Sequence, residues 1–264
     1  MKKKVIVTLL ILVCLYIIIC ILLFLFQESL IFFPENLPED YSFRFSENFI
    51  EKNYKIDEKT KINTLLFKTS KSKGIIFYHH GNTGSMQTWG NIYEDFTQLS
   101  YDFFIYDYRG YGKSTGRISE KALFSDALFL YDKILSSYSQ DKIIVFGRSI
   151  GSGIAFYVAS KRKPHMLILE SPFYSMKDLV FRKLPWAPSF LLRYNFRSDI
   201  YLKNVTCPVF IFHGTNDSLI YFRSSKKLIK LGKEQDKLFP IYGGEHNGLR
   251  LFKEYKANLK MILK

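Results

Sequence analysis

Two serines lie between glycines in the spacing G-x-S-x-G, Ser149 and Ser114. This spacing is typical of a nucleophile elbow, in which a strand runs into the serine, small residues allow a sharp turn, and a helix leaves with its N-terminus facing the developing oxyanion. Ser149 has all three features, because an apolar stretch at 142–146 precedes it and small residues that open a helix follow it. Ser114 lies in a glycine-rich loop whose helix begins only near Ser119. We therefore predict that Ser149 is a nucleophile and that Ser114 belongs to a loop.

The loop around Ser114 also imitates a phosphate-binding P-loop, since Gly112, Lys113 and Ser114 follow one another. That motif requires a further glycine at position 107, where this chain has Asp107. The sequence therefore does not predict an NTPase.

A serine hydroxyl needs a base to attack at neutral pH, and after an elbow of this type the acid and the base follow in the order Asp, His. Only His246, in G-G-E-H-N, lies C-terminal to an acid at a strand end. Asp217, in H-G-T-N-D after the predicted strand 205–213, is the predicted acid that orients this base. Glu170 is the alternative acid, because it ends the predicted strand 166–170. The other histidines are expected to be structural: His79, His80, His165 and His213.

A tetrahedral intermediate needs backbone N–H donors, one from the residue after the nucleophile and one from the loop after an early strand. Ile150 and Asn82 occupy these two positions. Gly81 and Gly84 flank Asn82 and would let the backbone approach a substrate closely. We predict that the amides of Asn82 and Ile150 form an oxyanion hole.

From about residue 61, β-rich stretches alternate with helical ones, which is typical of a mostly parallel sheet with helices on both faces. The predicted strands are 62–68, 74–79, 101–106, 142–146, 166–170, 205–213 and 238–242. A helix that begins after Ser119 joins two of them. The stretch 172–204 breaks the rhythm with three prolines and several large apolar residues, and it is predicted to be a cap-like insertion.

Residues 5–26 contain no charged residue, proline or glycine, and a helix of this length spans the hydrocarbon core of a bilayer. A cleaved signal peptide is the alternative, but its apolar region would be shorter and would end at a small-x-small site. Lipoprotein processing at Cys20 is disfavoured by the bulky isoleucines before it. We predict an uncleaved anchor over 1–26 and a hydrolase domain over 27–264. Three lysines precede the anchor, so the N-terminus is expected in the cytoplasm and the domain on the extracytoplasmic side.

The composition of the 264-residue chain predicts one folded domain, with 47% hydrophobic and 17% aromatic residues. The net charge of +14 is spread over single lysines and arginines, so nucleic acid is not a predicted partner, although the surface would be attracted to anionic lipid. Cys207 has no nearby C-x-x-C partner and is predicted to be a buried thiol. No metal or cofactor is predicted.

Six motifs follow one another: H-H-G-N-T-G, Y-D-Y-R-G-Y-G-K-S-T-G, G-R-S-I-G-S-G, L-E-S-P-F, H-G-T-N-D and G-G-E-H-N. Through them the chain resembles the N-terminally anchored α/β-hydrolases of the ABHD group, from about residue 27 to the C-terminus. The resemblance implies esterase, lipase or thioesterase activity with Ser149, Asp217 and His246 as triad. It also implies that Asp107 and Arg109 organise the loop beneath the site. Depalmitoylase-like relatives act at the cytoplasmic face, whereas the charge bias here points outward.

The predicted reaction is a two-step acyl transfer through an acyl-enzyme, without metal or cofactor. The apolar cap and the anchor favour a hydrophobic, lipid-like acyl substrate at the membrane surface. A serine peptidase or amidase is the first alternative, because the same triad cleaves amides. A non-catalytic protein that uses the fold for binding is the second.

Overall fold

The computed structural model describes residues 2–264, and it contains a long N-terminal helix followed by an eight-stranded sheet with helices around it. The strands are β1 (Phe33–Pro34), β2 (Phe49–Lys55), β3 (Lys61–Phe67), β4 (Ile75–His79), β5 (Thr83–Gly84), β6 (Asp102–Tyr106), β7 (Ile143–Arg148), β8 (Met166–Glu170), β9 (Val209–Gly214) and β10 (Lys237–Ile241). The helices are α1 (Lys2–Leu25), α2 (Gln27–Ile31), α3 (Met86–Trp89), α4 (Glu94–Thr97), α5 (Glu120–Leu135), α6 (Ile150–Lys161), α7 (Met176–Lys183), α8 (Ser198–Tyr201), α9 (Arg223–Ile229) and α10 (Lys253–Ile262).

The sheet is mostly parallel and has the strand order β10-β9-β8-β7-β4-β6-β3-β2. Neighbouring strands from β10 to β6 are parallel, and β3 runs antiparallel to both β6 and β2. The chain leaves β4 for β6 on one side and then crosses to β7 on the other. The direction of winding therefore changes between β4 and β7, and open sheets of this kind bind ligands at the carboxyl ends of the strands there.

Two hydrophobic clusters lie on the two faces of the sheet, because successive side chains of a strand point to opposite faces. On β4, Phe77 packs in the cluster that contains Leu130 of α5 and Ile154 of α6. The next residue, Tyr78, packs in the other cluster with Phe96 of α4. The central strands are buried on both faces, which explains why their sequences are almost continuously apolar.

The structure differs from the sequence prediction around β9 and at one edge of the sheet. The predicted strand 205–213 begins only at Val209, after Pro208, which has no N–H to donate to a neighbouring strand. Cys207 is buried just before the strand, and burial raises the pKa of its thiol to about 11. Strand β2 was not predicted, because it is a largely exposed edge strand without an apolar run.

Helix α1 is long and apolar enough to cross a membrane, and no residue of this helix is buried in the protein. It continues after a short break into α2, where Gln27 is buried. The segment 172–204 contains α7 and α8 and contributes Phe173 and Met176 to a cavity beside Ser149.

Candidate active site

Ser149 lies in a sharp turn between β7 and α6. Its backbone has φ 53° and ψ −120°, in a region that residues other than glycine rarely adopt and that costs about 1–3 kcal/mol. The turn is held from both sides, because the Ser149 amide donates to the Glu170 carbonyl at 2.9 Å and the Ser152 hydroxyl donates to the Ser149 carbonyl at 2.6 Å. The serine side chain therefore stands at the carboxyl end of the central strand, before the N-terminus of α6.

The glycines on either side of Ser149 are required by close approaches of the backbone. A Cβ at Gly147 would lie 2.5 Å from the Ala155 Cβ, and a Cβ at Gly151 would lie 2.2 Å from the His79 carbonyl oxygen. Both distances are well below van der Waals contact. The spacing G-x-S-x-G thus follows from packing α6 tightly against β7 and the end of β4.

The structure brings together the three residues predicted as nucleophile, base and acid. His246 Nε2 lies 3.0 Å from Ser149 Oγ, and His246 Nδ1 lies 2.7 Å from Asp217 Oδ2. With the ring proton on Nδ1, the imidazole donates to the carboxylate and accepts the serine hydroxyl proton at Nε2. The three side chains come from loops after β7, β9 and β10, so parallel strands place residues 97 and 29 positions apart in one relay.

Asp217 is held in its ionised form. Burial alone would raise the pKa of this carboxyl group, but hydrogen bonds from His213 and His246 outweigh burial and hold the pKa well below its usual range. Its Oδ1 also accepts the amides of Leu219 at 2.9 Å and Ile220 at 2.8 Å. The carboxylate is therefore fixed in position and charged at neutral pH.

Asn82 and Ile150, the two predicted oxyanion donors, line the same cavity as Ser149. Within residues 2–264 the backbone N–H of neither residue donates a hydrogen bond to another protein group, while the Asn82 side chain donates to the Ile31 carbonyl at 2.8 Å. The Asn82 loop is fixed by its carbonyl, which accepts the Tyr111 hydroxyl at 2.6 Å and the Phe33 amide at 2.9 Å. Two fixed amides thus remain available beside the serine.

Comparison with known proteins finds similar sequences among hydrolases. A family model described as Hydrolase_4, serine aminopeptidase S33, matches residues 70–198. Lysophosphatidylserine lipase ABHD12 of Danio rerio is 32% identical over 188 residues, which cover 63% of this chain and 49% of the lipase. The chain therefore spans about half the length of the ABHD12 proteins that it matches. Uncharacterized protein R595 of Acanthamoeba polyphaga mimivirus is 30% identical over 234 residues, 79% of each chain.

Solved structures share the fold. An esterase of Pyrococcus furiosus, PF2001, superposes with a TM-score of 0.68 at 17% identity, over 88% of this chain and 97% of the esterase. An alpha-beta hydrolase of Vibrio vulnificus gives a TM-score of 0.67 at 20% identity, over 82% and 81%. The chain belongs to the α/β-hydrolase family. The α/β-hydrolase fold expected from the motifs is thus confirmed.

Glu170, the alternative acid, has other partners. Its Oε1 accepts from Arg148 Nε at 2.7 Å, and its Oε2 accepts from the Tyr255 hydroxyl at 2.7 Å. Arg148 also donates through Nη2 to the His246 carbonyl at 3.2 Å and to Asn247 Oδ1 at 2.7 Å. Sequence reasoning missed this cluster, although Arg148 occupies the first variable position of the elbow motif. The cluster links the nucleophile strand to the loop that carries His246.

His213 was predicted to be structural, and it is buried beside Asp217. Its Nε2 lies 2.7 Å from the Ile220 carbonyl and 3.3 Å from Asp217 Oδ2, while Nδ1 lies 2.6 Å from Ser225 Oγ. The ring thus contacts the same carboxylate oxygen as His246. The signal in the sequence was its spacing of four residues from Asp217 in H-G-T-N-D.

The loop of the second G-x-S-x-G match makes structural contacts through Ser114. Ser114 donates to the Asp107 carbonyl at 2.8 Å and accepts the Asn63 amide at 2.9 Å. Asp107 is completely buried and accepts the Met86 amide at 2.8 Å, and burial raises the pKa of its carboxyl group well above the usual range. Arg109 forms two hydrogen bonds of 2.7 Å with Asp126 on α5.

A cavity of about 520 Å³ opens beside Ser149, a volume typical of pockets for small ligands. Its walls are mainly apolar and come from α1, α2, the segment 172–204 and the loop after Asp217. Two lysines, Lys177 and Lys183, are the charged residues among the described residues that line it. Five leucines and a proline from α1, α2 and the segment 172–204 form part of its wall: Leu23, Leu30, Leu184, Pro188, Leu191 and Leu192.

Proposed function

We propose that the hydrolase cleaves a carboxylic ester or thioester of a lipid-like acyl substrate through an acyl-enzyme on Ser149. The observation that carries this proposal is the continuous hydrogen-bonded relay from Ser149 through His246 to Asp217, which opens into a mainly apolar cavity. A hydroxyl, an imidazole and a carboxylate in this arrangement supply a nucleophile, a base and a fixed counter-charge. The apolar walls supply a site for the acyl chain.

In the first step, His246 Nε2 takes the proton of Ser149 as Oγ attacks the acyl carbon. The Asp217 carboxylate stabilises the imidazolium that forms, without itself accepting the proton. The amides of Ile150 and Asn82 donate to the oxyanion of the tetrahedral intermediate. The imidazolium then gives its proton to the departing alcohol or thiol as the carbon–oxygen or carbon–sulfur bond breaks.

In the second step, His246 takes a proton from water as the water oxygen attacks the acyl-enzyme. A second tetrahedral intermediate forms in the same pair of amides. Its collapse returns the proton from His246 to Ser149 Oγ and releases the carboxylic acid. His246 thus returns each proton that it takes, to the leaving group in the first step and to Ser149 in the second, and the reaction needs no metal or cofactor.

The cavity favours a substrate with an acyl chain and an anionic group. Leu23, Leu30 and Leu191 offer contact to a hydrocarbon chain, whereas Lys177 and Lys183 offer a positive charge to a phosphate or carboxylate. The ABHD12 relatives are named lysophosphatidylserine lipases, and a lysophospholipid has this combination of groups. An anionic, single-chain lipid is therefore the substrate class that we propose.

For the arrangement of the chain, we propose an anchor over 1–26, a hydrolase domain over 27–264 and a cap formed by 172–204. The three lysines before the apolar run place the N-terminus in the cytoplasm by the positive-inside rule, and the domain on the other side. A thiol-reactive reagent that does not cross membranes, applied to intact cells with a cysteine introduced at exposed Glu58, would label the domain. Labelling only after lysis would reverse this orientation.

An aminopeptidase-type reaction is the second candidate, because the matching family model carries that description. Such a reaction needs an acidic group to bind the substrate's α-ammonium. The described residues that line the cavity include two lysines and no aspartate or glutamate, so the electrostatics oppose a cationic substrate. A non-catalytic binding role is the remaining alternative, and it gives no reason for the strained serine and its relay.

The test is labelling of the full chain in membranes with a fluorophosphonate probe. We expect labelling at Ser149 that is lost in Ser149→Ala and kept in Ser114→Ala, the matched variant in the second glycine motif. Long-chain esters should then be cleaved faster than short esters and aminoacyl amides. A folded protein without labelling would refute the hydrolase mechanism, and a preference for aminoacyl amides would refute the ester assignment.

A further inference from the structure

Helix α1, which contains most of the apolar run, is in direct contact with the segment 184–193, which follows α7 in the cap. The Tyr16 hydroxyl donates to the Trp186 carbonyl at 3.2 Å, and the two rings meet edge to face with centroids 6.2 Å apart. Eleven residues further along, Gln27 Nε2 donates to the Leu191 carbonyl at 3.0 Å, and Gln27 Oε1 accepts the Arg193 amide at 2.8 Å. The segment is thus held to α1 near its start and to α2 near its end.

These contacts fix how deep the segment lies. Tyr16 precedes the end of the apolar run, Phe26, by ten residues, which is about 15 Å along a helix. The hydrocarbon core of a bilayer is about 30 Å thick. If α1 spans this core, a segment that contacts Tyr16 cannot remain in the aqueous phase. Trp186 then lies within the hydrocarbon layer.

The backbone and the exposed side chains of the segment 184–193 suit a hydrocarbon environment. Pro185 and Pro188 have no N–H, and the Tyr16 hydroxyl satisfies the Trp186 carbonyl, so fewer backbone groups are left unpaired in lipid. Phe190 is 82% exposed and Trp186 is 47% exposed, a large cost in water for two aromatic side chains on one short segment. Both would be covered by lipid.

Basic residues lie on either side of this apolar segment in the chain. Lys183 precedes it and Arg193 ends it, and both are exposed. The Arg193 guanidinium lies 5.9 Å from the centre of the Phe24 ring at the end of α1 and 3.9 Å from Glu28. A cation at the level of Phe24 matches the phosphate groups of lipids, because arginine places its charge at the boundary while its stem contacts hydrocarbon.

The cavity beside Ser149 reaches this same segment. Leu184 and Leu191 of the segment and Leu23 and Leu30 of the anchor and α2 all line it. Part of the cavity wall is therefore formed by the surfaces that the contacts above place at the bilayer.

We infer that the segment 184–193 is embedded in the bilayer beside α1, and that an acyl chain enters the cavity sideways from the lipid, between Leu23 of the anchor and Leu191 of the segment. The embedding rests on α1 spanning the membrane. The path of the acyl chain rests in addition on the proposed function. The two parts can be separated by experiment, because embedding is measurable without catalysis.

Embedding is tested by tryptophan fluorescence of the full chain in phosphatidylcholine vesicles that contain phosphatidylcholine brominated halfway along its acyl chains. The chain has two tryptophans, so Trp89→Phe reports on Trp186, and Trp186→Phe reports on Trp89 in the folded domain. We expect bromine to quench Trp186 and to leave Trp89 unchanged. Quenching of Trp186 by aqueous iodide, without quenching by the brominated lipid, would overturn the inference whatever the protein's activity.

Sideways access is tested with Phe190→Glu, at an exposed residue that does not line the cavity beside Ser149. A charge there should lower the hydrolysis of a long-chain ester in vesicles about tenfold or more, while the hydrolysis of a short soluble ester stays unchanged. Ile50→Glu, on the exposed edge strand β2, is the matched control and should change neither. Equal activity of Phe190→Glu and wild type on the vesicle ester would refute sideways access. A wild-type protein that cleaves neither ester would instead refute the proposed function, and the quenching result would still decide embedding.

Discussion

Arg148 is expected to position the catalytic base. Substitutions of Arg148 and of its partner Glu170 can separate this positioning role from a role in stability. The side chains of Arg148 and Glu170 are only 10% and 7% exposed, and they form a buried pair at 2.7 Å. Arg148→Met leaves the Glu170 carboxylate with the Tyr255 hydroxyl as its hydrogen-bond donor. Leaving one charge of a buried pair without its partner costs about 3–5 kcal/mol in the free energy of unfolding.

The same substitution releases the loop that carries the base. Two hydrogen bonds from the guanidinium, to the His246 carbonyl and to Asn247, are lost, and each charged bond contributes about 1.5–3 kcal/mol to holding the loop. A displacement of about 1 Å in a reacting group can lower the rate about 100-fold. We therefore expect kcat to fall about 10-fold to 100-fold with little change in KM, because the apolar cavity is untouched.

The decisive variant combines Arg148→Met with Glu170→Gln. Replacing both charges restores most of the lost stability, because no buried charge remains unpaired. It does not restore the bonds to the His246 loop, so kcat should stay low. The measurements are urea unfolding and ester hydrolysis by the full chain in detergent. Wild-type kcat in the double variant would refute the positioning role and leave only a structural one.

A surface ion pair provides the matched control. Arg162 forms two hydrogen bonds with Asp132, at 2.8 and 2.7 Å, but these side chains are 31% and 48% exposed. Arg162→Met should lower the free energy of unfolding by less than about 1 kcal/mol and leave kcat unchanged. The contrast between the two arginines isolates the effect of burial and position.

Three further outcomes follow from the site and its support. Asp217→Asn should keep the fold and lower kcat about 10⁴-fold, because an amide neither fixes the tautomer of the base nor stabilises its charged form. Gly151→Ala should lower the free energy of unfolding by about 3 kcal/mol in urea titrations, since its Cβ meets backbone oxygen, whereas Gly243→Ala, with φ 72° and no atom within 4 Å, should cost about 1 kcal/mol. Burial lowers the pKa of His79 to about 3, so between this pKa and the ordinary value of about 6.5 the unfolded chain binds one more proton than the folded protein. This difference lowers the free energy of unfolding by about 1.4 kcal/mol per pH unit as the pH falls from 6 to 4, and His79→Gln should abolish that decrease. The exposed His165→Gln should leave that slope unchanged, and an unchanged slope in His79→Gln would contradict the burial argument.

The sequence predicted the central strands and the elbow because their causes are local. A strand buried on both faces must be apolar throughout, and the turn at Ser149 requires glycine two residues before it and two after it. Strand β2 gave no such signal, since an exposed edge strand carries polar side chains. The start of β9 was placed too early because Cys207 and its neighbours are buried without forming a strand.

Interactions between distant residues could not be predicted in the same way. The partners of Arg148 lie 22 and 99 residues away, at Glu170 and Asn247, and their meeting depends on the register of β7 and β8 and on the loop after β10. The contact between Tyr16 and Trp186 joins residues 170 positions apart. A single sequence marks the polar residues in such pairs but not which of them meet.

The two buried carboxylates at the ends of neighbouring strands explain why sequence reasoning kept an alternative acid, and their partners favour Asp217. Glu170 and Asp217 are about equally buried; Glu170 ends β8 and Asp217 follows β9, both on the same side of Ser149. The charge of Glu170 is neutralised at 2.7 Å by Arg148, so it offers little stabilisation to a distant imidazolium. Asp217 has amides and histidines as partners, so its charge is available when His246 becomes protonated. On the proposed mechanism, Arg148 therefore has two effects: it holds the loop of the base, and it leaves Asp217 as the one carboxylate of the pair whose charge acts on that base.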